Sequence, residues 1–176
     1  MNKRKLLPLL IAACLLLVTL CGGVLAYMFR RTEQKKNTFT PAVVDCVVDE
    51  AFDGAKKTAI AVTNTGNIDA YLRVRLVTYW VDAAGNIAPK PSAQILLTLP
   101  EGWIAGSDNT YYYTKAVTPA DSTTDLLGDI DLPLAQDGDY HQVIEVFAEA
   151  IQSQPAQAVT DSWGVTLTGG IISAAP

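Results

Sequence analysis

The clearest hydrophobic pattern in the chain lies between residues 59 and 82, where apolar and polar residues alternate on both sides of a turn. The apolar positions on one face are Ile60, Val62, Leu72, Val74, Leu76 and Trp80. A period of two is typical of a strand with one buried and one solvated face. The intervening Asn64-Thr65-Gly66-Asn67 is typical of a tight turn, because Asn and Gly tolerate left-handed backbone. The pattern predicts two antiparallel strands, with residues 70–82 as the central strand and Trp80 in the core.

Shorter alternating runs predict further strands on either side of this pair. They lie at residues 42–50, 93–99, 109–115 and 140–152, and Gly, Pro and Asp mark the turns between them. Residues 155–163 suit one or two helical turns, with Pro155 near the start. About six strands with regular turns and no long helix predict an all-β fold, an antiparallel β-sandwich of jelly-roll type, with at most a short C-terminal helix.

The N-terminal residues have the composition of an export leader. Three basic residues precede an uncharged run over 6–29, and Val24-Leu25-Ala26 places small or modest side chains before a cleavage site. We expect a signal peptidase to cut between Ala26 and Tyr27. The alternative is an uncleaved anchor, because such a run can span the roughly 30 Å of a bilayer core. A lipoprotein site at Cys14 is disfavoured, because apolar residues follow it.

This leader defines the predicted domains and location. Residues 1–26 form the signal peptide or membrane anchor, residues 27–40 a polar tether, and residues 41–176 the β-sandwich domain. We expect a secreted or extracellular-surface protein. The alternative is a protein anchored to the cytoplasmic membrane with its domain outside, which would contact the membrane only through its N-terminal segment.

Charge and cysteine content are consistent with an extracellular domain that does not bind nucleic acid. From residue 37 onward there are six basic and 17 acidic residues, a net charge of −11. Such a domain repels polyanions. Cys46 is the only cysteine beyond the leader, so the domain cannot form an internal disulfide, and a buried, inert thiol is the favoured interpretation.

The sequence contains no recognisable catalytic or metal motif, and we predict a non-enzymatic protein without a cofactor. There is one histidine, His141, and neither a His-Glu-x-x-His nor a Gly-x-Ser-x-Gly motif. Four aspartates lie close together, at positions 129, 131, 137 and 139. Oxygen-rich loops can hold Ca²⁺, but the spacing matches no calcium loop, and an acidic solvated loop is favoured.

Aromatic residues offer a second kind of site. Trp103, Tyr111 and Tyr113 are candidates for a platform that stacks on sugar rings. Alternation along residues 109–115 places Tyr112 on the face opposite to its two neighbours. The favoured alternative is that these side chains pack in the core and in cross-strand pairs.

Several pieces of sequence, taken in order, resemble a known family. They are Leu25-Ala26-Tyr27, Asn37-Thr38-Phe39-Thr40, Val62-Thr63-Asn64-Thr65-Gly66-Asn67, Ala70-Tyr71-Leu72-Arg73-Val74, Tyr111-Tyr112-Tyr113-Thr114-Lys115, Ala148-Glu149-Ala150-Ile151-Gln152 and Ala158 to Gly164. This set resembles the TasA/camelysin-like secreted proteins of Gram-positive bacteria, which depend on a SipW-type signal peptidase. The resemblance covers most of the chain. The leader departs from the family pattern at Met28 to Arg31.

The resemblance implies a jelly-roll sandwich, export and, as for the best-known members, assembly into extracellular fibres of the biofilm matrix. It also implies that an N-terminal segment can complete a neighbour's sheet. The candidate donor residues here are Val43, Val44, Cys46 and Val48. The alternative is that this segment pairs within its own domain. Partners would be further copies or other matrix proteins. The competing function is a tethered or secreted module that binds carbohydrate or protein.

Overall fold

A computed structural model describes residues 3–31, 40–91, 95–128 and 132–176. The chain divides into two compact units, residues 1–40 and 41–176. The first contains helix α1 (Lys3–Arg31), which includes Pro8. Where the placement of the chain is described, no helix has the length and apolarity needed to cross a membrane. Most of the tether predicted at residues 27–40 lies outside the described residues.

The second unit consists of short and long strands with one helix. The elements are β1 (Cys46–Phe52), β2 (Lys56–Asn64), β3 (Ala70–Val81), β4 (Ile87–Ala88), β5 (Trp103–Ala105), β6 (Thr110–Tyr113), β7 (Leu132–Pro133), β8 (Gln136–Asp137), β9 (Tyr140–Gln152), α2 (Ala156–Trp163), β10 (Thr166–Thr168) and β11 (Ile171–Ala174). The predicted helix at residues 155–163 and the strand at 140–152 are confirmed, the latter over its full length.

The strands form antiparallel sheets, which confirms the predicted all-β class. A six-stranded sheet has the order β5-β6-β3-β9-β8, with β4 also paired to β3. A three-stranded sheet has the order β1-β2-β7, and β10 and β11 form a hairpin. Every strand pairing in the described ranges is antiparallel, and the architecture includes a curled half-barrel.

Strand β3 is central, as predicted from its alternation. It pairs with β9 along its whole length, from Ala70 opposite Gln152 to Val81 opposite His141. One face of β3 contributes to the first core together with β2 and β9. The central side chains of that core are Ile60, Val62, Leu72, Val74, Leu76, Leu126 and Ile144. These side chains are at most 4% exposed, so their burial stabilises the packing of the sheets.

The prediction that Trp80 lies in the core is wrong. Its side chain is only partly buried, and its indole N–H donates to the carbonyl of Pro91 at 3.1 Å. The Lys90 ammonium lies 5.1 Å from the ring centroid. At this end of β3 the partner is the short β4, with Trp80 opposite Ala88. The chain that follows β4 therefore covers the ring.

The opposite face of β3, predicted to be wet, carries a second core. Helix α2 and the β10–β11 hairpin contribute to it, and its buried members are Tyr71, Tyr112, Val159, Trp163, Val165 and Ile172. The Tyr71 hydroxyl donates to the carbonyl of Gly170 at 2.6 Å. The hairpin turns at Gly169-Gly170, where φ is +60° and +79°, angles that favour glycine. Alternation along β3 shows which residues share a face but not which faces are covered.

Two predicted strands differ from those observed. The strand predicted at residues 93–99 is absent from residues 95–99, and residues 93 and 94 lie outside the described ranges. Ile95, Leu97 and Leu99 still pack on the first core, which accounts for their alternation. The first strand begins at Cys46 and not at residue 42. The residues just before it, Val43 and Asp45, form hydrogen bonds with the turn at residues 64–67 and do not pair with a strand.

Candidate functional site

The segment before β1 is bound to the Asn64–Asn67 turn by main-chain hydrogen bonds. The N–H groups of Thr65 and Gly66 donate to the Asp45 carbonyl at 3.1 and 3.2 Å, and the Asn67 N–H donates to the Val43 carbonyl at 3.0 Å. The Asn67 side chain extends this pairing: its Oδ1 accepts from the Val43 N–H at 2.7 Å. Its Nδ2 donates to the Pro41 carbonyl at 3.0 Å. The side-chain amide of Asn67 thus pairs with the main chain of Pro41 and Val43 in the way that the main chain of a neighbouring strand would.

The turn is stabilised from inside by Asn64, which is fully buried. Its Nδ2 donates to the carbonyls of Ile68 and Val117 at 2.9 and 2.8 Å. Its Oδ1 accepts from the Gly66 N–H at 3.0 Å. In this orientation of the Asn64 side-chain amide, its oxygen and its nitrogen both form hydrogen bonds, as the burial of polar atoms requires. The turn is therefore a preformed docking site for the segment.

A glycine is required at position 66 because the main chain of the docked segment passes very close to it. A Cβ at this position would lie 2.4 Å from the Val43 carbonyl oxygen and 3.1 Å from the Asp45 amide nitrogen. Its φ is not in the left-handed region. Turn chemistry alone predicts a glycine here for its conformation, whereas in the structure it is the close approach of the bound segment that requires one.

Strand β1 continues the docked segment along β2. The register runs from Cys46 opposite Asn64 to Ala51 opposite Ala59, and then shifts at Phe52, opposite Lys57. β1 is an edge strand of its sheet. In this chain the candidate donor segment pairs within its own domain.

The four candidate donor residues differ in burial. Cys46 and Val48 are half-buried, and Cys46 packs on the first core. Burial is the main cause that raises the pKa of the Cys46 thiol, and the negative charge of Asp45 is the second. Val43 and Val44 precede β1 and are 48% and 37% exposed, so only the two later candidate residues lie within the strand.

An ion pair fixes β1 to β2 at the end opposite the turn. The Lys57 ammonium lies 2.7 Å from a Glu50 carboxylate oxygen, and the Lys57 side chain is 8% exposed. The same ammonium lies 5.6 Å from the Phe52 ring centroid. A buried lysine needs such a partner, because an unpaired charge there is strongly disfavoured.

The predicted cleavage site lies in the other unit. Ala26 and Tyr27 are both within α1, and the Tyr27 side chain is 58% exposed. Cleavage between them remains a prediction.

The three candidate sugar-binding aromatics do not form an exposed platform. Trp103 and Tyr111 belong to the first core and are 5% and 4% exposed, and Tyr113 is half-buried against the same core. The Trp103 indole N–H donates to the Thr124 carbonyl at 3.0 Å, and its ring meets that of Tyr113 edge to face at 5.3 Å. The predicted orientation of Tyr112 is confirmed, since it lies in the second core.

The acidic loop is only partly described. Asp129 and Asp131 lie outside the described residues, and Asp137 forms an ion pair with Lys90. Among the residues that the structure places, no group of three or more His, Cys, Asp or Glu side chains is positioned to hold a metal. The preference for an acidic solvated loop over a Ca²⁺ site stays a prediction.

A charged cleft that the sequence analysis missed lies between β3, β6, β9 and α2. Its volume is about 240 Å³, and its lining includes Arg73, Arg75, Asp108, Phe147, Glu149 and Trp163. The signal in the sequence is the pair of arginines at alternate positions in β3, but alternation alone places them only on the face that is predicted to be solvated. The cleft itself depends on residues from four distant segments.

Comparisons with known proteins add no relative. No family model matches the sequence, and neither a curated protein nor a solved structure shows significant similarity to it.

Proposed function

We propose that this chain is a secreted, non-enzymatic surface or biofilm-matrix protein of the TasA/camelysin type, with a jelly-roll sandwich. In this proposal it is a fibre subunit, and its N-terminal segment pairs with the sheet of a neighbouring copy. The observation that carries the proposal is the binding of residues 41–52 along β2 and its turn, largely through main-chain groups.

The chemistry of this docking suits exchange between copies. Main-chain hydrogen bonds have the same geometry whether the added strand belongs to the same chain or to another. Because β1 is an edge strand that follows directly from the bound segment, its withdrawal would leave the β2 edge unpaired. An unpaired edge favours association with another strand. A second copy carries an identical segment and can replace it.

The Glu50–Lys57 pair would give such an exchange its register. Without β1, the Lys57 ammonium would lose its carboxylate partner and the Phe52 ring that lies beside it. A donated strand that is shifted by one residue would not place Glu50 beside it. Burial of Cys46 against the first core selects the same register.

Disulfide trapping tests strand donation directly. Val47 and Thr63 are opposite each other in β1 and β2, and opposed residues in antiparallel strands are close enough for a disulfide. In a variant with the native cysteines replaced by serine, Val47→Cys/Thr63→Cys should give covalent oligomers when assembled material is oxidised. The matched control is Val77→Cys/Glu145→Cys, which joins β3 to β9 and should give only intrachain bonds.

Two results would overturn the proposal. Assembled fibres of the test variant that dissociate entirely into monomers under non-reducing denaturation would exclude strand donation. Absence of concentration-dependent assembly, by light scattering and electron microscopy, would exclude the fibre function. The native N-terminus of the protein from the culture surface tests export: a start at Tyr27 supports cleavage, and a retained Met1 supports the anchored alternative.

The competing function, a carbohydrate- or protein-binding module, is favoured by a separate observation. This is the charged cleft on the other side of the six-stranded sheet from the first core, whose arginines and exposed aromatic ring are unusual in so acidic a domain.

A further inference from the structure

The two arginines of the cleft differ in their partners. Arg73 forms an ion pair with Glu149 at 2.5 Å, and its guanidinium lies 4.8 Å from the Trp163 ring centroid and 5.8 Å from that of Tyr112. These contacts hold the Arg73 side chain, which is 23% exposed, against the second core. The charge of Arg73 is therefore largely neutralised by Glu149.

Arg75 is exposed, and its side chain has no hydrogen bond or ion pair with any part of the chain that the structure describes. In the sheet it is opposite Phe147 on β9 and Thr110 on β6. An arginine guanidinium presents a planar set of N–H donors that matches a carboxylate. The free cation at this position therefore provides a recognition group for a single anionic substituent.

The remaining walls provide an apolar surface and oxygen acceptors. Phe147 is 50% exposed and presents an aromatic ring beside Arg75. Asp108 lies at the rim, in a turn whose central residues, Asp108 and Asn109, have φ of +53° and +54°. The Thr110 N–H closes that turn by donating to the Ser107 carbonyl at 3.0 Å. Asp108 and Glu149 can accept hydrogen bonds from hydroxyl groups.

We propose that this cleft binds a carboxylated sugar, a single hexuronic acid residue. The carboxylate pairs with Arg75, an apolar face of the ring packs on Phe147, and the hydroxyls donate to Asp108 and Glu149. The volume of about 240 Å³ lies below the roughly 300–1,000 Å³ of sites for drug-sized ligands, so the cleft accommodates a single ring. The net charge of −11 beyond residue 36 disfavours a dense polyanion such as nucleic acid.

The test is calorimetric titration of the full chain, solubilised in a non-ionic detergent, with galacturonic acid. Galactose, which is neutral, and inorganic phosphate serve as comparison ligands. We expect binding of the uronate alone. Arg75→Ala should weaken it roughly 10- to 100-fold, the range for loss of a hydrogen-bonded charged group. Phe147→Ala should weaken it by a smaller factor.

Lys115→Ala is the matched control, because Lys115 is an exposed cation that is not among the residues lining the cleft. It should leave the affinity unchanged. No heat with the uronate, equal binding of the neutral sugar, or equal weakening by the Arg75 and Lys115 variants would each overturn the proposal. Competition by inorganic phosphate at equal concentration would instead indicate a general anion site and also overturn it.

This inference is independent of fibre assembly. The β1–β2 disulfide experiment and the sugar titration use residues in different sheets, so either can fail while the other succeeds. Circular dichroism of each variant verifies folding, and Arg75→Ala and Phe147→Ala provide two separate changes to the same cleft.

Discussion

Replacing Gly66 by alanine separates the effect of the turn from the effect of the segment bound to it. Because the φ of Gly66 is not left-handed, an unobstructed Gly→Ala change would stabilise the fold by about 0.4–1 kcal/mol. The new Cβ would lie 2.4 Å from the Val43 carbonyl oxygen, which is backbone and cannot rotate away. The segment must therefore move off the turn.

The expected cost follows from the hydrogen bonds that the movement breaks. Four of them have a main-chain donor and join Val43 or Asp45 to the turn, and each contributes about 0.5–1.5 kcal/mol net, with exposed bonds at the lower end. After the conformational gain is deducted, we expect Gly66→Ala to lower the free energy of unfolding by about 1–3 kcal/mol.

Urea denaturation measures this change, and amide hydrogen exchange locates it. The Asn67 amide, which bonds to Val43, should lose protection. Thr65→Ala is the control in the same turn: it removes only a 2.9 Å hydroxyl contact to the Asp45 carboxylate and should cost less than about 1 kcal/mol. If Gly66→Ala is as stable as the native chain and its Asn67 amide stays protected, the segment is not docked as described.

Three further predictions concern buried groups of the same unit. Asn64→Ala should destabilise by about 2–4 kcal/mol, because it removes the three hydrogen bonds of a fully buried side chain; denaturation that shows a loss below 1 kcal/mol would contradict this. Burial raises the pKa of Tyr71 and of Tyr111, so the native state retains these protons longer than the unfolded state, and stability should fall as pH rises above about 10. The pKa of Tyr79 is also raised, mainly by its hydrogen bond to Glu145, so absorbance titration at alkaline pH should show three tyrosines that ionise late in the native protein and normally in urea. The Cys46 thiol, whose pKa is raised mainly by burial, should react slowly with a thiol reagent and faster in Gly66→Ala; equal rates would indicate that β1 remains in place.

The long strands were predictable from sequence because alternation is a local property. β3 and β9 each carry a period of two along most of their length, and the observed ranges match the prediction within one residue. Alternation does not report backbone pairing, however. Ile95, Leu97 and Leu99 alternate and pack on the core without forming a strand.

The candidate sites were less predictable because each joins segments that are distant in sequence. Gly66 is required by Val43, 23 positions earlier, and no local pattern shows that approach. The aromatic residues were identified correctly as large apolar groups, but their burial depends on which surfaces pack against them. Phe147 is exposed and lies in the cleft, and no local pattern in the sequence marks it as part of a site.

The sequence alone determined the class of the fold, the turn at Asn64–Asn67 and the positions of the longest strands, because side-chain alternation and turn chemistry act between near neighbours. The tertiary structure decided which strand faces are covered. It placed α2 and the last hairpin over Tyr71 and left Arg75 exposed beside Phe147. It also seated Val43 against Gly66. These outcomes depend on packing between segments that are remote in sequence. That packing must bury apolar side chains and at the same time give main-chain polar groups hydrogen-bond partners, and no local sequence pattern contains this information.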